Sequence, residues 1–392
     1  MHYPDPHWLS AGPRPPSPGD PHQWLAALRA AGPIHRDFMF FDLRGWLVVR
    51  YDLARAALNH PGLVMRPLDK GPGLAAPDAY PFACDPPEHA RIRGLLTEAV
   101  APRRAQRLAP QVRRIAVELL DALRGPRVVD IVHGYAGLLP GLVLCELLGV
   151  PPAYRSEYRR WAFQAFETSS ARGEAVATLR ELLRSMIVVK SRAPGGDLLS
   201  DLLAARDRTG APPAADEVID IALTVSAAVC RHVSDLLVDA LTVLLRHPEQ
   251  TRRLCDRPEL LPTAVEEVLR YVSPAGPGPL RFAAEDLDLG GVRVRRGEPV
   301  AVSLASAGRD APAYGGDPSV FDVTRGAVRH LAFGDGPHRC PGTLLARLTA
   351  SIAVITLFVR HPRVTPEGPP PPFPADPSRR PRSLRVRLGL DG

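Results

Sequence analysis

The sequence predicts a mainly α protein with small β-sheets, an α+β arrangement whose body is helical. Three observations carry this. From residue 88 to about 250, segment after segment places apolar residues at i, i+3, i+4 spacing. Strand-like alternation is confined to "GWLVVRY" (45–51), to 280–310 with its Gly-Gly and Arg-Gly breaks, and to the terminal "SLRVRLG". The 44 prolines, about twice ordinary usage, punctuate turns throughout.

In chain order, residues 1–32 read as Pro-rich and polar, followed by the 45–51 strand. Next comes a short helix, "DLARAALNHP", that Asp52 would cap and Pro61 would stop. The stretch 65–87 reads as a long loop, and loops of that length tend to be functional. Helices then follow in "EHARIRGLLTEAV", "AQRLAPQVRRIAVELLDALR", "YAGLLPGLVLCELLGV", "YRSEYRRWAFQAFETSS" and "EAVATLRELLRSMIVV". The longest helix begins at "ADEVIDIALTVSAAVCRHVSDLL" and runs about 30 residues to Pro248, so it spans about 45 Å. "LPTAVEEVLRYVSP" and "LLARLTASIAVITLFVRHP" complete the helical set. Two average domains or one large mixed one fit 392 residues, and no 20 to 50 residue period points to a solenoid or propeller.

Composition narrows the function classes. The opening residues lack the basic start and apolar run of a signal peptide, and no uncharged apolar run of about 18 residues is evident. The expectation is a soluble, cytoplasmic protein with no membrane partner. A net charge of +7 comes almost wholly from dispersed arginines, with Lys70 and Lys190 the only lysines and aromatics at 6%, which is not the patch of a nucleic-acid binder. Five cysteines without CxxC spacing suggest neither a disulfide framework nor a zinc site.

The most specific stretch is "FGDGPHRCPG" (333–342), three glycines around a lone cysteine just ahead of an apolar helix. Amide N–H groups and the helix dipole stabilise a thiolate there, and glycines let backbone approach the sulfur or a flat ligand. A Gly-rich turn around a buried core cysteine is the plainer alternative.

This stretch resembles the haem-thiolate loop of the cytochromes P450, matched at Phe333, Gly334, Gly336, His338, Cys340 and Gly342. Other segments resemble the same family. Glu267 and Arg270 in "EEVLR" match its ExxR pair, which alone would read as a solvated surface pair. His89 and Arg93 in "DPPEHARIR" match its propionate-binding segment, although His89 alone would read as a structural histidine. Arg281 falls where a further propionate contact sits. The resemblance implies a single cytochrome P450 domain over 1–392, with sheet-rich parts at about 33–62 and 281–330 and a helical body at about 88–272 and 340–362. It implies haem b (iron protoporphyrin IX), Cys340 as axial iron ligand, His338 on a haem propionate, and electrons from ferredoxin and ferredoxin reductase.

The long helix matches the one that crosses the distal face of the haem, and there the chain departs from the family. Registered on "LLRHPEQ", the usual Ala-Gly-x-Glu/Asp-Thr-Thr segment falls on Ala228, Val229, Cys230, Arg231, His232 and Val233. Arg231 replaces the acid, His232 the alcohol, and Val229 the glycine that lets the helix bulge. Acid and alcohol deliver protons for O–O cleavage in ordinary members. Three readings follow: His232 relays protons; Arg231 anchors a substrate carboxylate in a peroxide-using enzyme; or Arg231 pairs with Asp235 and the helix has lost this duty. Since successive residues sit about 100° apart, at most two of Cys230, Arg231 and His232 face the iron, and Cys230 reads as packing.

The functional expectation is a haem-thiolate monooxygenase or oxidase acting on a specialised metabolite, by hydroxylation or by radical C–C, C–N or C–O bond formation. Its small-molecule substrate is acidic or polar if Arg66, Arg231 and His232 line the pocket, with room made by Gly276 and Gly278. A non-catalytic relative of the family is the alternative from another class, and Cys340 argues against it.

Overall fold

The computed structural model describes residues 21–40, 43–68, 84–125, 127–165, 171–207, 209–274, 278–326, 329–371 and 383–389. Most of the 65–84 loop and Gly276 therefore lie outside the described residues. Helices dominate, as the 3.6-residue periodicity requires. Glu88–Ala99, Pro102–Ala122, Leu139–Leu148, Arg155–Gln164 and Arg172–Arg192 precede the long helix, and Pro248–Asp256, Leu261–Val272 and Thr343–Arg360 follow it.

Pro102–Ala122 illustrates the local logic. Proline occupies its first turn, where a missing N–H costs nothing, and it buries Ala105, Leu108, Val112, Ile115, Ala116 and Leu120 at i, i+3, i+4 intervals. That face packs against Leu139–Leu148 and Thr343–Arg360. Each leucine so buried contributes about 1.5–3 kcal/mol.

The main sheet has five strands in the order Ile34–Phe40, Leu43–Val48, Pro299–Val302, Leu280–Ala283 and Leu63–Val64. Leu43–Val48 pairs with Pro299–Val302 in parallel, with Trp46 opposite Val300, which joins sequence segments about 250 residues apart. The central strand Pro299–Val302 is buried throughout. Leu280–Ala283, which carries Arg281, lies antiparallel to it. The terminal Arg385–Arg387 strand joins Val129–Asp130 and Thr365–Pro366 in a separate sheet.

Three local features add to or change the sequence reading. Pro21–Ala31, within the Pro-rich and polar opening, is a helix, because Leu25 and Leu28 pack on Phe38, Leu47 and Val49. Asp52 lies inside the first turn of Tyr51–Asn59 instead of capping it; the Tyr51 amide donates to the Asp310 carboxylate at 2.8 Å. Leu198–Ala204 is an additional helix capped by Asp197, which accepts from the Ser200 amide at 3.0 Å.

The long helix spans Ala215–Arg246, 32 residues, with a π-helical segment at Val229–Val233. A bulge is therefore present at the family's position without the glycine, contrary to what Val229 suggested. By length and composition, this helix and Thr343–Arg360 both pass as possible membrane spans when a charge or two is allowed; more than half of each apolar window is buried inside the protein.

Candidate active site

Local hydrogen bonds and glycines shape the cysteine loop. The Cys340 amide donates to the Phe333 carbonyl at 2.8 Å, the Gly334 amide to Leu331 at 2.7 Å, and the Thr343 hydroxyl to the Cys340 carbonyl at 2.6 Å. Gly334 and Gly336 have φ of 71° and 72°, where other residues are strained. At Gly336 a side chain also has no room, since a Cβ would meet Asn59 Oδ1 at 2.5 Å. Between these glycines, Asp335 anchors the loop to Arg55 Nε (3.0 Å) and Asn59 Nδ2 (3.2 Å) on the Tyr51–Asn59 helix. Cys340 is half-buried. Burial pushes its thiol up, while the Gly342 amide, Arg93, Thr343 and Arg339 pull the other way and favour the thiolate.

Behind the loop, Arg270 and Glu267 are fully buried and joined by two hydrogen bonds of 2.7 Å. This is a core pair, and every donor of Arg270 is used. Arg270 Nη1 donates to the Gly308 and Pro318 carbonyls, while Glu267 Oε1 accepts from Arg325 Nε and the Asp322 amide. The neighbouring Glu266 faces the other way, to Arg347 and His330, and the Arg347 guanidinium lies 4.8 Å from the Phe333 ring centre. Burial pushes the Glu266 carboxyl up, but the His330 and Arg347 bonds outweigh it and bring it down to about 2. Sequence reasoning missed this second pair, whose only signal was a doubled glutamate.

In front of the loop, His89, Arg93, Arg281 and His338 converge. The His89 and His338 rings stand 3.9 Å apart, and Arg93 Nη1 donates to the Arg339 carbonyl. His89 is buried, and its Nε2 has no hydrogen-bond partner among the described residues. Arg281 is buried too, and there its guanidinium donates only to the Leu280 carbonyl, at 3.1 Å. Burial, then the other cations, lower the His89 and His338 imidazoles, His338 to about 4; burial lowers Arg281 to about 10. Asp85 is the carboxylate that counters them, and it already accepts from the Met65 and Arg66 amides. A part-buried cluster of two arginines and two imidazoles, with one imidazole nitrogen orphaned and little carboxylate to balance the arginines, fits a flat dianion with two carboxylates, and a thiolate donor beside it fits iron. Arg91, on the same helix turn and not singled out from sequence, ties that helix to Asp207 at 2.9 Å and to Glu217.

The long helix presents one open stripe near its middle. Ala228 and His232 are exposed, Arg231 and Asp235 half-buried, while Val229, Cys230, Val233 and Leu236 are buried. Cys230 is thus a packing residue, its thiol pushed far up by burial. Arg231 Nε lies 3.3 Å from Asp235 Oδ2. The segment packs on Leu139–Leu148, Arg155–Gln164 and the helix that starts at the cysteine loop. Arg66 forms an exposed pair with Glu88 at 3.0 Å, as a solvated loop residue would; one pocket expectation changes, since Gly278 makes no room, because a Cβ there would strike the Val302 carbonyl at 1.9 Å.

Comparison with known proteins agrees with this geometry. The family model described as Cytochrome P450 matches residues 240–384. The 6-deoxyerythronolide B hydroxylase of Saccharopolyspora erythraea is 36% identical over 365 residues, covering 88% of this chain and 90% of that one. Among solved structures, P450BioI in complex with hexadec-9Z-enoic acid ligated acyl carrier protein superposes with a TM-score of 0.83 at 30% identity, over 94% and 97% of the two chains. A cytochrome P450 enzyme for C–S bond formation in chuangxinmycin biosynthesis gives 0.80 at 29% identity, over 95% of each.

Proposed function

Because this chain belongs to the cytochrome P450 family, a family of haem b monooxygenases, we propose that it performs oxidative tailoring of a specialised metabolite. Hydroxylation or radical C–C, C–N or C–O bond formation at the substrate is the chemistry we infer. Bacterial members act on small molecules and take electrons from ferredoxin and its reductase. The observation that carries the reading is the convergence of the Cys340 loop with the under-compensated cluster of His89, Arg93, Arg281 and His338.

Those residues divide the work. Cys340 would ligate iron, and the cationic cluster would hold the two propionates. Phe333 and Gly334 would pack under the ring, and the Glu267–Arg270 pair keeps the loop's support rigid. When bound, haem supplies the centre at which dioxygen is reduced and one oxygen atom is passed on. On the open stripe, His232 carries an imidazole, a group able both to donate and to accept a proton. Arg231 and Arg66, the arginines that would favour an acidic substrate, each have a carboxylate partner, so the substrate needs no carboxylate of its own.

A peroxide-using enzyme with Arg231 as carboxylate anchor is the second reading, favoured by Arg231 standing on the open stripe. Two measurements separate the possibilities. The reduced carbon-monoxide complex of the haem-loaded protein is expected to show the red-shifted Soret band of a thiolate ligand; its absence would leave a non-catalytic relative. Turnover with ferredoxin and reductant, and none with hydrogen peroxide alone, is the expected pattern; the reverse would establish the second reading.

A further inference from the structure

We propose that the acid–alcohol pair of the distal helix is displaced here, not lost: Ser234 and Asp235 form it, in reversed order and about one turn downstream, with Arg231 as positioning residue. Three observations meet at this point. Asp235 lies in the first turn of the α-helix Ser234–Arg246, just after the π segment, on the same stripe as Arg231 and His232. Arg231 holds it, and the carboxylate is the more enclosed partner, with 15% of its side chain exposed against 42% for Arg231. A base N-terminal to its acid is the weaker helical order, so the pair adds little to helix stability.

The hydroxyl is the third observation. The long helix holds four hydroxyl side chains. Thr224, Ser226 and Thr242 donate to the carbonyl four residues back, at 2.8, 2.7 and 2.7 Å. Ser234 does not. Its Oγ is buried with no hydrogen-bond partner among the described residues, because the carbonyl it would use, that of Cys230, belongs to the π segment. A buried hydroxyl left over, one residue before a carboxylate in the chain, is where an ordered water would sit, and the three would make a proton path.

The inference rests on the oxygen-activating reading above. In that reaction substrate RH, O2, two protons and two electrons from the reductant give ROH and water. Asp235, through Ser234 and its water, would supply the two protons and be recharged from solvent past His232.

The probe is cyanide binding to the ferric holoenzyme, since HCN must surrender its proton to a nearby base before the anion binds. Peroxide released per O2 consumed by the reduced, substrate-free enzyme is the second readout. Asp235→Asn is expected to slow cyanide association about a hundredfold and to raise the peroxide yield, with Ser234→Ala intermediate and Asp235→Glu recovering most of the loss. Should Asp235→Asn fail to load haem, Ser234→Ala against wild type decides. Unchanged rates in both Ser234→Ala and the Asp235 variants, with a loss in His232→Ala, would overturn the proposal and make His232 the relay. A wild-type protein without the thiolate band would sink the oxygen-activating reading first, before any substitution is made.

Discussion

The loop that carries Cys340 and the helix segment that carries Arg231 and His232 are held by opposite means. The loop is over-determined: two positive-φ glycines, an anchor from Asp335 to Arg55 and Asn59, and two ion pairs behind it, one fully buried. The segment is under-determined. It is π-helical where the rest of the long helix is α, the Arg231–Asp235 ion pair is part-exposed, and a buried hydroxyl next to it in the chain has no hydrogen-bond partner among the described residues. The difference separates two demands. An iron ligand, the role proposed for Cys340, would tolerate no play, which fits a loop fixed redundantly by packing; a proton path, the role proposed for the segment, would have to admit water and move charge, which fits its looser hold.

Substitution in the loop should therefore cost far more than substitution in the segment. The largest effect is expected from Cys340→Ser, which removes the thiolate: the red-shifted band and all turnover should vanish while the fold persists by circular dichroism. Next is Arg270→Met, which takes from Glu267, at 1% exposure, its two-bond partner and leaves it Arg325 alone as counter-charge among the described residues. Losing one partner of a buried pair costs about 3–5 kcal/mol, read as a large fall in melting temperature and poor haem incorporation. If Arg270→Met were mild, the contrast between the two regions would collapse.

Gly336→Ala comes third. It combines a strained φ with a collision against Asn59, and should cost about 1–3 kcal/mol in a denaturant midpoint. Gly334→Ala, at a similar φ but with its nearest neighbour at 3.9 Å, should cost less and separates strain from collision. Smaller again is the acid limb. The Glu266 carboxyl is lower in the folded protein than its ordinary 4.5, so its contribution is fully present above that value and is lost as pH falls towards about 2. Glu266→Gln should remove about 1–2 kcal/mol at neutral pH and flatten stability between pH 4.5 and 2; an unchanged slope would show that the Arg347 and His330 bonds do not hold Phe333 in place.

Legibility in the sequence follows the same division. The cysteine loop is a local pattern, because glycine spacing and a single thiol are forced by geometry within ten residues. Helices with a buried face were readable from period alone. The Glu266–Arg347 pair spans 81 residues and the Arg55–Asp335 contact 280, so no window reveals either. The π segment was misjudged for a different reason. Val229 in place of the glycine suggests an altered groove, yet the bulge is present without it, and Val229 is buried in the packing around it. Ser234 carried no signal at all, because its interest lies in a backbone bond that the neighbouring segment withholds.

The smallest expected effect is the most informative for the comparison. His232→Ala and Arg231→Gln lie on the open stripe, touch little of the core, and should change stability by no more than about 0.5 kcal/mol. What should change is partition of electrons: both variants are expected to keep the thiolate band and their loading, but to release more of the oxygen they reduce as peroxide. Arg231→Gln acts by freeing Asp235 to turn away, so Arg231→Lys, which keeps the charge without the fork, should recover part of the coupling. His232→Ala removes a recharging route and should enlarge the solvent deuterium isotope effect without altering cyanide association. A substantial drop in melting temperature for either variant would mean that the segment, too, is held by the core, and that the division between a rigid proximal loop and a loosely held proton path is drawn in the wrong place.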